Sequence, residues 1–490
     1  MSFYKNSLYT LFSHIFIVAQ PIIIVPLLIK LSSQELYAEY ILLLSFLGIV
    51  SGISSLGFDI SYKRRYPTLQ VSQEIKPRQE LFFTQFWFHL FCSLIFAIFC
   101  FFCILLMVGS YITFGYEEIW IIPVYILANT FFNQFVSYAR YSNRLGFHNL
   151  LLSLNPVLFI STVFYYSSIY DITLLSLFLI HSVNLFVLGI LASFYVINDL
   201  GFKFRFPNFQ KVRVELIIGF PFLLTYIVDT LIISSDRYLI AFIIDLNSVS
   251  YYVPAYIIGS LPILIARVLS VVLPQILSIC VDKNFDDLGK SLIRQSKYIY
   301  LVFCVPFFLG SMIIGKEILS IYTNSEIAIQ GYLVLSIISF SSIFFGLFII
   351  NSNILFVRLK TKELFRVNLC MFFVNLVLNL ILLYMFKDIN YAALVTFVCY
   401  IFGHIFLGKL ISNDSLYLKI PFQDILKIMM AALIAVFILT LLQSTYNQEN
   451  IYLNILITAV IYFATLLILF YKRLQISYKK LDELKGLFNT

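Results

Sequence analysis

The sequence predicts an all-α polytopic membrane protein of about fourteen transmembrane helices, arranged as two six-helix lobes and two further C-terminal helices. Three observations predict the class. Of the 490 residues 61% are hydrophobic and 12% charged, with a mean hydropathy of +0.94, a balance that would leave a soluble domain with far too much wet apolar surface. Apolar runs of roughly 20 residues, the length that crosses a bilayer core, recur along the whole chain. Finally, 28 of the 33 Lys and Arg fall in every second gap between those runs, three (Lys30, Lys316, Lys387) in the other gaps, and two (Arg237, Arg267) inside runs. Loops that keep Lys and Arg stay in the cytoplasm, so both ends of the chain are expected inside.

The first run, 8–30, holds Pro21 and Pro26 and lacks a small-residue cleavage site, so it reads as a helix rather than a signal peptide. Spans follow at 37–58, 81–108, 119–139, 149–168 and 173–197, completing an N-terminal lobe over 1–200. A gap rich in Lys, Arg and Phe with Pro207 gives a cytoplasmic linker at 201–214. The C-terminal lobe, 215–412, takes spans at 216–244, 250–280, 298–315, 331–352, 364–386 and 391–411. Spans at 425–443 and 451–471, with a basic tail, make up 413–490. The cationic gaps around Lys63, Arg140, Lys203 and Lys283 are all even-numbered, and missing one span would scramble every gap downstream. An echo at a shift of 214, pairing Tyr37 with Tyr251 and Arg144-Leu145 with Arg358-Leu359, fits two parallel repeats, a transporter arrangement. From Lys472 the tail alternates Lys with Leu, which suits a short helix on an anionic leaflet.

Several classes are excluded. The gaps are too short for a soluble catalytic domain, and neither G-x-x-x-x-G-K-[ST] nor H-E-x-x-H occurs, so no enzyme and no cofactor are expected. Asp286-Asp287 reads as a solvated loop rather than a metal site. The seven cysteines lie in or at the end of apolar runs and read as small apolar filler. The 52 Phe and 33 Tyr are expected mostly against lipid and in the interface belt. The basic side should attract anionic headgroups and anionic lipid-linked cargo rather than nucleic acid.

Ionisable groups at membrane depth cost roughly 2.5–3.5 kcal/mol each on insertion scales and point to function. Asp229 falls near the centre of span 216–244, and Asp236-Arg237 about 10 Å further along. Seven residues apart, Asp229 and Asp236 share a helix face. Arg267 falls near the centre of span 250–280, level with Asp229 and between Pro262 and Pro274, so both are expected to face one wet cavity. The plainer alternative is an ion pair, Asp229 with Arg267 or Asp236 with Arg237, that only registers helices. A guanidinium holds two phosphate oxygens at once, which makes Arg267 the first candidate for a phosphate contact. Lys30, Arg65 and Arg140 sit at span ends, as interfacial anchors first and cavity lining second. His14 and Gln20 on the proline-bearing first span, and Asn129 and Asn133 with Gln134 on the fourth, are polar enough to line a cavity or to clip helices. His89, His181 and His404 read as neutral core histidines.

Pro21-x4-Pro26 followed by Tyr37-x-x-Tyr40, Gly219-Phe220-Pro221 leading to Ser234-Ser235-Asp236-Arg237, Tyr251-Tyr252, and Asn375 with Asn379-Leu380 together resemble one family over nearly the whole chain. It is the Wzx-like polysaccharide-biosynthesis family, the lipid-linked oligosaccharide flippases of the MOP superfamily. Leu36 and Ser250 stand where that family usually has Gly before the tyrosine. The resemblance implies MATE-like lobes around a V-shaped cationic cavity in a bacterial inner membrane. It implies an undecaprenyl-pyrophosphate oligosaccharide, an O-antigen or capsule repeat unit, moved from the cytoplasmic to the outer leaflet. A glycan polymerase and a chain-length regulator would be its partners. On this reading Arg267 and Arg237 hold the pyrophosphate and Asp229 or Asp236 releases it, by exchanging a proton or sodium ion. Moving negative charge outward across about 100 mV releases about 2.3 kcal/mol per charge, so the potential alone could drive export. The alternative is a MATE-like cation-coupled multidrug exporter, which would favour an acidic cavity, whereas these spans balance two Arg against two Asp. The topology is directly testable: alkaline phosphatase fused within 109–118 is expected to be active, and within 59–80 inactive, with the opposite pattern inverting the orientation.

Overall fold

A computed structural model describes residues 16, 19–57, 75–107, 119–142, 144–201, 209–283, 285–445, 457–466 and 468–469. Among these residues every regular element is an α-helix and no strand occurs. The helices are α1 (Ala19–Leu31), α2 (Gln34–Ser54), α3 (Ile75–Met107), α4 (Ile121–Tyr141), α5 (Leu145–Ser167), α6 (Leu174–Leu200), α7 (Phe209–Ile243) and α8 (Leu246–Gly259). They continue as α9 (Ile263–Asp282), α10 (Asp286–Tyr322), α11 (Ser325–Val357), α12 (Thr361–Phe386), α13 (Ile389–Leu410), α14 (Phe422–Thr445) and α15 (Ile457–Leu466). Nine of the described helices are long and apolar enough to cross a membrane, or ten if α8 and α9 form one broken span. The chain is a multi-pass membrane protein. Helices α4 and α7 occupy two more of the sequence-read spans.

Helix ends follow local chemistry. Ser33 caps α2 by accepting from the Leu36 amide (3.1 Å), and Asn324 caps α11 by accepting from the Ile327 amide (2.9 Å). Thr173 and Ser176 form a reciprocal capping box at the start of α6, and Gly201, at φ 71°, ends it. The span read as continuous over 250–280 is interrupted at residues 260–262, where Pro262 precedes the first turn of α9. Pro274 is accommodated inside α9. Asp286 is not a loop residue as expected: it lies in the first turn of α10, where a carboxylate favours the positive end of the helix dipole.

The chain forms two compact units, one of Met1–Ile257 with Asn368–Ala392, the other of Ile258–Val367 with Ala393–Thr490. In the first, α4 packs along α6, α3 against α4, α5 against α6, and α2 against α7. Its interior is aromatic: Tyr37, Tyr40, Tyr138, Tyr252, Phe82, Phe159 and Phe178 are fully buried, and Tyr40 stacks on Phe159 at 6.4 Å between centroids. Among the described residues more aromatics are exposed than buried, as expected of lipid-facing rings, and this buried set packs helices as densely as aliphatic side chains do. A buried polar ladder joins three helices: His89 Nδ1 to Gln134 Oε1 (3.1 Å), Ser93 to Thr130 (2.8 Å), and Ser93 to Ser54 (3.2 Å). Between α2 and α7 the backbones themselves touch. Gly57, at φ 75°, lies against the Gly219 peptide, and a methyl on either glycine would fall on the other's backbone.

In the second unit α11 packs on both α9 and α10, and α10 on α14. Leu301 and Val305 of α10, Ile428 and Ala431 of α14, and Tyr462 and Leu466 of α15 share one core, with Tyr462 donating to the Val302 carbonyl (2.6 Å). The segment after α13 is fastened by Arg358, which donates through Nε (3.1 Å) and Nη2 (3.3 Å) to Asp414, and through Nη2 to Ser415 (2.8 Å). Ser415 in turn donates to Asp286, itself 3.6 Å from the Arg358 guanidinium. The sequence-read linker lies partly, and the tail from Lys472 wholly, outside the described residues.

Gly57→Ala is expected to cost roughly 1–2 kcal/mol from the left-handed backbone alone, plus the clash with Gly219. It should lower the unfolding temperature in detergent, whereas Gly146→Ala, with nothing within 4 Å, should leave it unchanged.

Candidate functional site

Helix α7 carries three of the sequence-predicted site residues, and each finds a partner within the first unit. Asp236 is 1% exposed and accepts from the Tyr252 hydroxyl of α8 (2.8 Å) and from Asn379 Nδ2 of α12 (2.8 Å). Beside it, Ser235 donates to Asn375 Oδ1 (2.9 Å), which also accepts from Asn379 (3.2 Å). Two turns earlier, Asp229 accepts from Asn368 of α12. Both carboxylates thus meet the same helix, as residues seven apart on one face do.

Arg237 turns toward α2, because consecutive residues on a helix point about 100° apart. Half-buried, it donates through Nη1 to Ser45 (3.1 Å), and the neighbouring Tyr238 hydroxyl donates to the Leu42 carbonyl (3.3 Å). On the same helix α2, Tyr37 and Tyr40 bury hydroxyls that have no hydrogen-bond partner among the described residues.

The remaining sequence candidates are dispersed. Arg267 is exposed on α9 in the second unit. Lys30 is exposed near the end of α1, and Arg140 is exposed in the last turn of α4, where a cation suits the helix dipole. Asn133, exposed, donates to Asn129 (2.9 Å), so these two amides clip their own helix. Gln20 is half-buried on α1, while His14 and Arg65 lie outside the described residues. His181 is packed by the rings of Tyr125 and Phe159, at 5.2 and 4.5 Å between centroids. Among the described residues no cluster of His, Cys, Asp and Glu could hold a metal ion.

Sequence reasoning did not assign roles to Tyr252, Ser45, Asn368, Asn375 or Asn379. A signal was present for the amides: Asn368, Asn375 and Asn379, spaced by seven and four, line one face of an otherwise apolar helix. Chemically, the arrangement is a buried carboxylate held by neutral donors. Protonating it, or giving it a cation, would weaken its claim on Tyr252 and Asn379.

No protein-family model matches the chain, and no curated protein matches it in sequence. Solved structures do. The lipid II flippase MurJ in an inward closed conformation is similar with a TM-score of 0.78 and 18% identity, covering 96% of this chain and 99% of that one. A multidrug resistance MATE family transporter of the MOP superfamily, inward-facing, gives 0.63 and 14%, covering 82% and 94%. A MOP superfamily transporter from Pyrococcus furiosus, described by the reversed polarity of its binding pocket, gives 0.58 and 10%, covering 83% and 95%. The fold is the one these solved structures share. These neighbours are transporters and a flippase, and a MATE-like architecture is what the resemblance noted in the sequence implies.

The Asp236 node makes its own prediction. Asn379→Leu should destabilise the protein by about 1–3 kcal/mol, by stripping a donor from a buried carboxylate. Asn379→Leu combined with Asp236→Leu should cost clearly less than the sum of the two single changes in thermal unfolding, because the unsatisfied charge is gone.

Proposed function

We propose that this chain moves a pyrophosphate-linked lipid oligosaccharide, built on an undecaprenyl-type carrier, from the cytoplasmic to the outer leaflet by alternating access. The observation that carries the reading is the likeness to a lipid II flippase over 96% of the chain, where the MATE transporter matches 82%. The shortfall is close to the size of the segment 413–490, the extra helices beyond a twelve-span transporter. The sequence patterns of the oligosaccharide flippases support the cargo class, and an O-antigen or capsule repeat unit in a bacterial inner membrane is the specific form. In this reading the exposed Arg267 takes the pyrophosphate, as an arginine fork does. Asp229 and Asp236 respond to a proton or sodium ion, each already held by amides that could let it go.

The test is surface glycan in cells carrying the chain as their only such transporter. Arg267→Ala, expressed at the normal level, should lower surface glycan by about 10–100-fold, the loss of a charge-assisted hydrogen bond. Arg267→Lys should restore only part of it, since charge returns without the fork. Normal glycan in Arg267→Ala would reject the arginine's role. Unchanged glycan on deletion of the chain, with a new sensitivity to cationic drugs, would favour a MATE-like exporter instead.

A further inference from the structure

We propose that the second unit holds a site for the phosphate of an anionic lipid headgroup that also bears hydroxyls. The site is a cavity of about 490 Å³ among α10, α11, α13 and the segment leading into α14, within the usual range of about 300–1,000 Å³ for ligand sites. Lys297, Lys409 and Lys419 line it, and among its described lining residues there is no carboxylate. Two acids close in sequence to lining residues have partners of their own: Asp414 accepts from Arg358, and Asp424 from Tyr298.

Lys297 is the central feature. Only 3% exposed, it donates to the Leu418 carbonyl (3.0 Å) and lies 5.0 Å from the Tyr417 ring centroid. A carbonyl and a ring face solvate an ammonium in part but carry no net charge, so an anion in the cavity would gain from it. Lys409 and Lys419, both exposed, supply two more positive charges at the rim.

Two orphaned polar atoms refine the ligand. Asn351, 1% exposed, has an Oδ1 with no hydrogen-bond partner among the described residues, and His404 Nδ1 likewise has none among them. An amide oxygen accepts and never donates, so its missing partner is a donor; a phosphate diester has none, whereas a hydroxyl does. Ile405 and Ile425 give the cavity an apolar side for the start of an acyl chain. The Arg358 clamp fixes the segment that carries Tyr417 and Lys419, so little ordering cost falls on binding. Lys297, Lys409 and Lys419 belong to the cation-rich gaps, the side where anionic headgroups are attracted. Phosphatidylglycerol has this chemistry, with a phosphate diester and two free hydroxyls. The site lies inside one unit and does not depend on the transported cargo.

The test is native mass spectrometry of the full-length protein in detergent, titrated with phosphatidylglycerol, phosphatidylcholine, phosphatidic acid or glycerol 3-phosphate. Wild type should retain phosphatidylglycerol over phosphatidylcholine, and Lys409→Gln with Lys419→Gln should weaken retention by about fivefold per lysine. Both lysines are exposed, so the fold should survive the change. Asn351→Leu should remove the preference for phosphatidylglycerol over phosphatidic acid. Equal retention by wild type and the double-lysine variant, or equal retention of phosphatidylcholine, would overturn the proposal. Full displacement of the lipid by glycerol 3-phosphate at comparable concentration would also overturn it, by assigning the cavity to a soluble phosphate.

Discussion

A carboxylate inside a membrane-crossing helix must find its donors within the protein, because the hydrocarbon offers none. Asp236 sets that demand here, and Tyr252 and Asn379 meet it. Meeting it draws α8 and α12 onto one side of α7, and Asn375 and Asn368 extend the contact along α12. The next residue, Arg237, makes the same kind of demand about 100° around the helix and is answered by Ser45 of α2. Two consecutive ionisable residues thus tie one helix to three others. This explains physically why Asn368–Ala392, far along the chain, belongs to the first compact unit.

Much of the fold was legible because membrane insertion obeys one-dimensional rules. Span length and the alternation of Lys and Arg located the helices, and each sequence-read span overlaps one described helix or, at 250–280, two. The pairing of helices was not legible, since hydropathy says that a segment is buried in lipid or protein but not against which neighbour. Asn368 illustrates this: in an apolar run it is one polar residue among many, and only its approach to Asp229 gives it meaning. Which of the aromatics would lie inside was not legible for a related reason. Tyr37, Tyr138 and Tyr252 have the composition of an interface belt, but their burial is set by packing partners that the sequence does not order.

The cations that counted alike in the sequence divide by environment. Most set topology. Arg237 and Arg358 act as ties, their planar donor forks suited to a hydroxyl and a carboxylate. Lys297 is enclosed by a carbonyl and a ring. A count of charges per gap cannot separate these roles, because the difference lies in what stands opposite each side chain. Arg358 also shows how a short connection becomes rigid. By reaching Asp414 and Ser415 it converts the segment between two membrane helices into a fixed wall.

The distance along the chain between Asp236 and Asn379 has a consequence for how the protein is made. Their 143-residue separation takes about 7–30 s to translate at roughly 5–20 residues per second. During that interval the nascent α7 has already left the ribosome while its amide partner does not yet exist. Tyr252, only 16 residues behind, arrives almost at once. The early helices therefore enter the bilayer with an incompletely satisfied acid, held neutral or shielded by whatever the insertion machinery provides. Final assembly of the first unit waits for a helix born late.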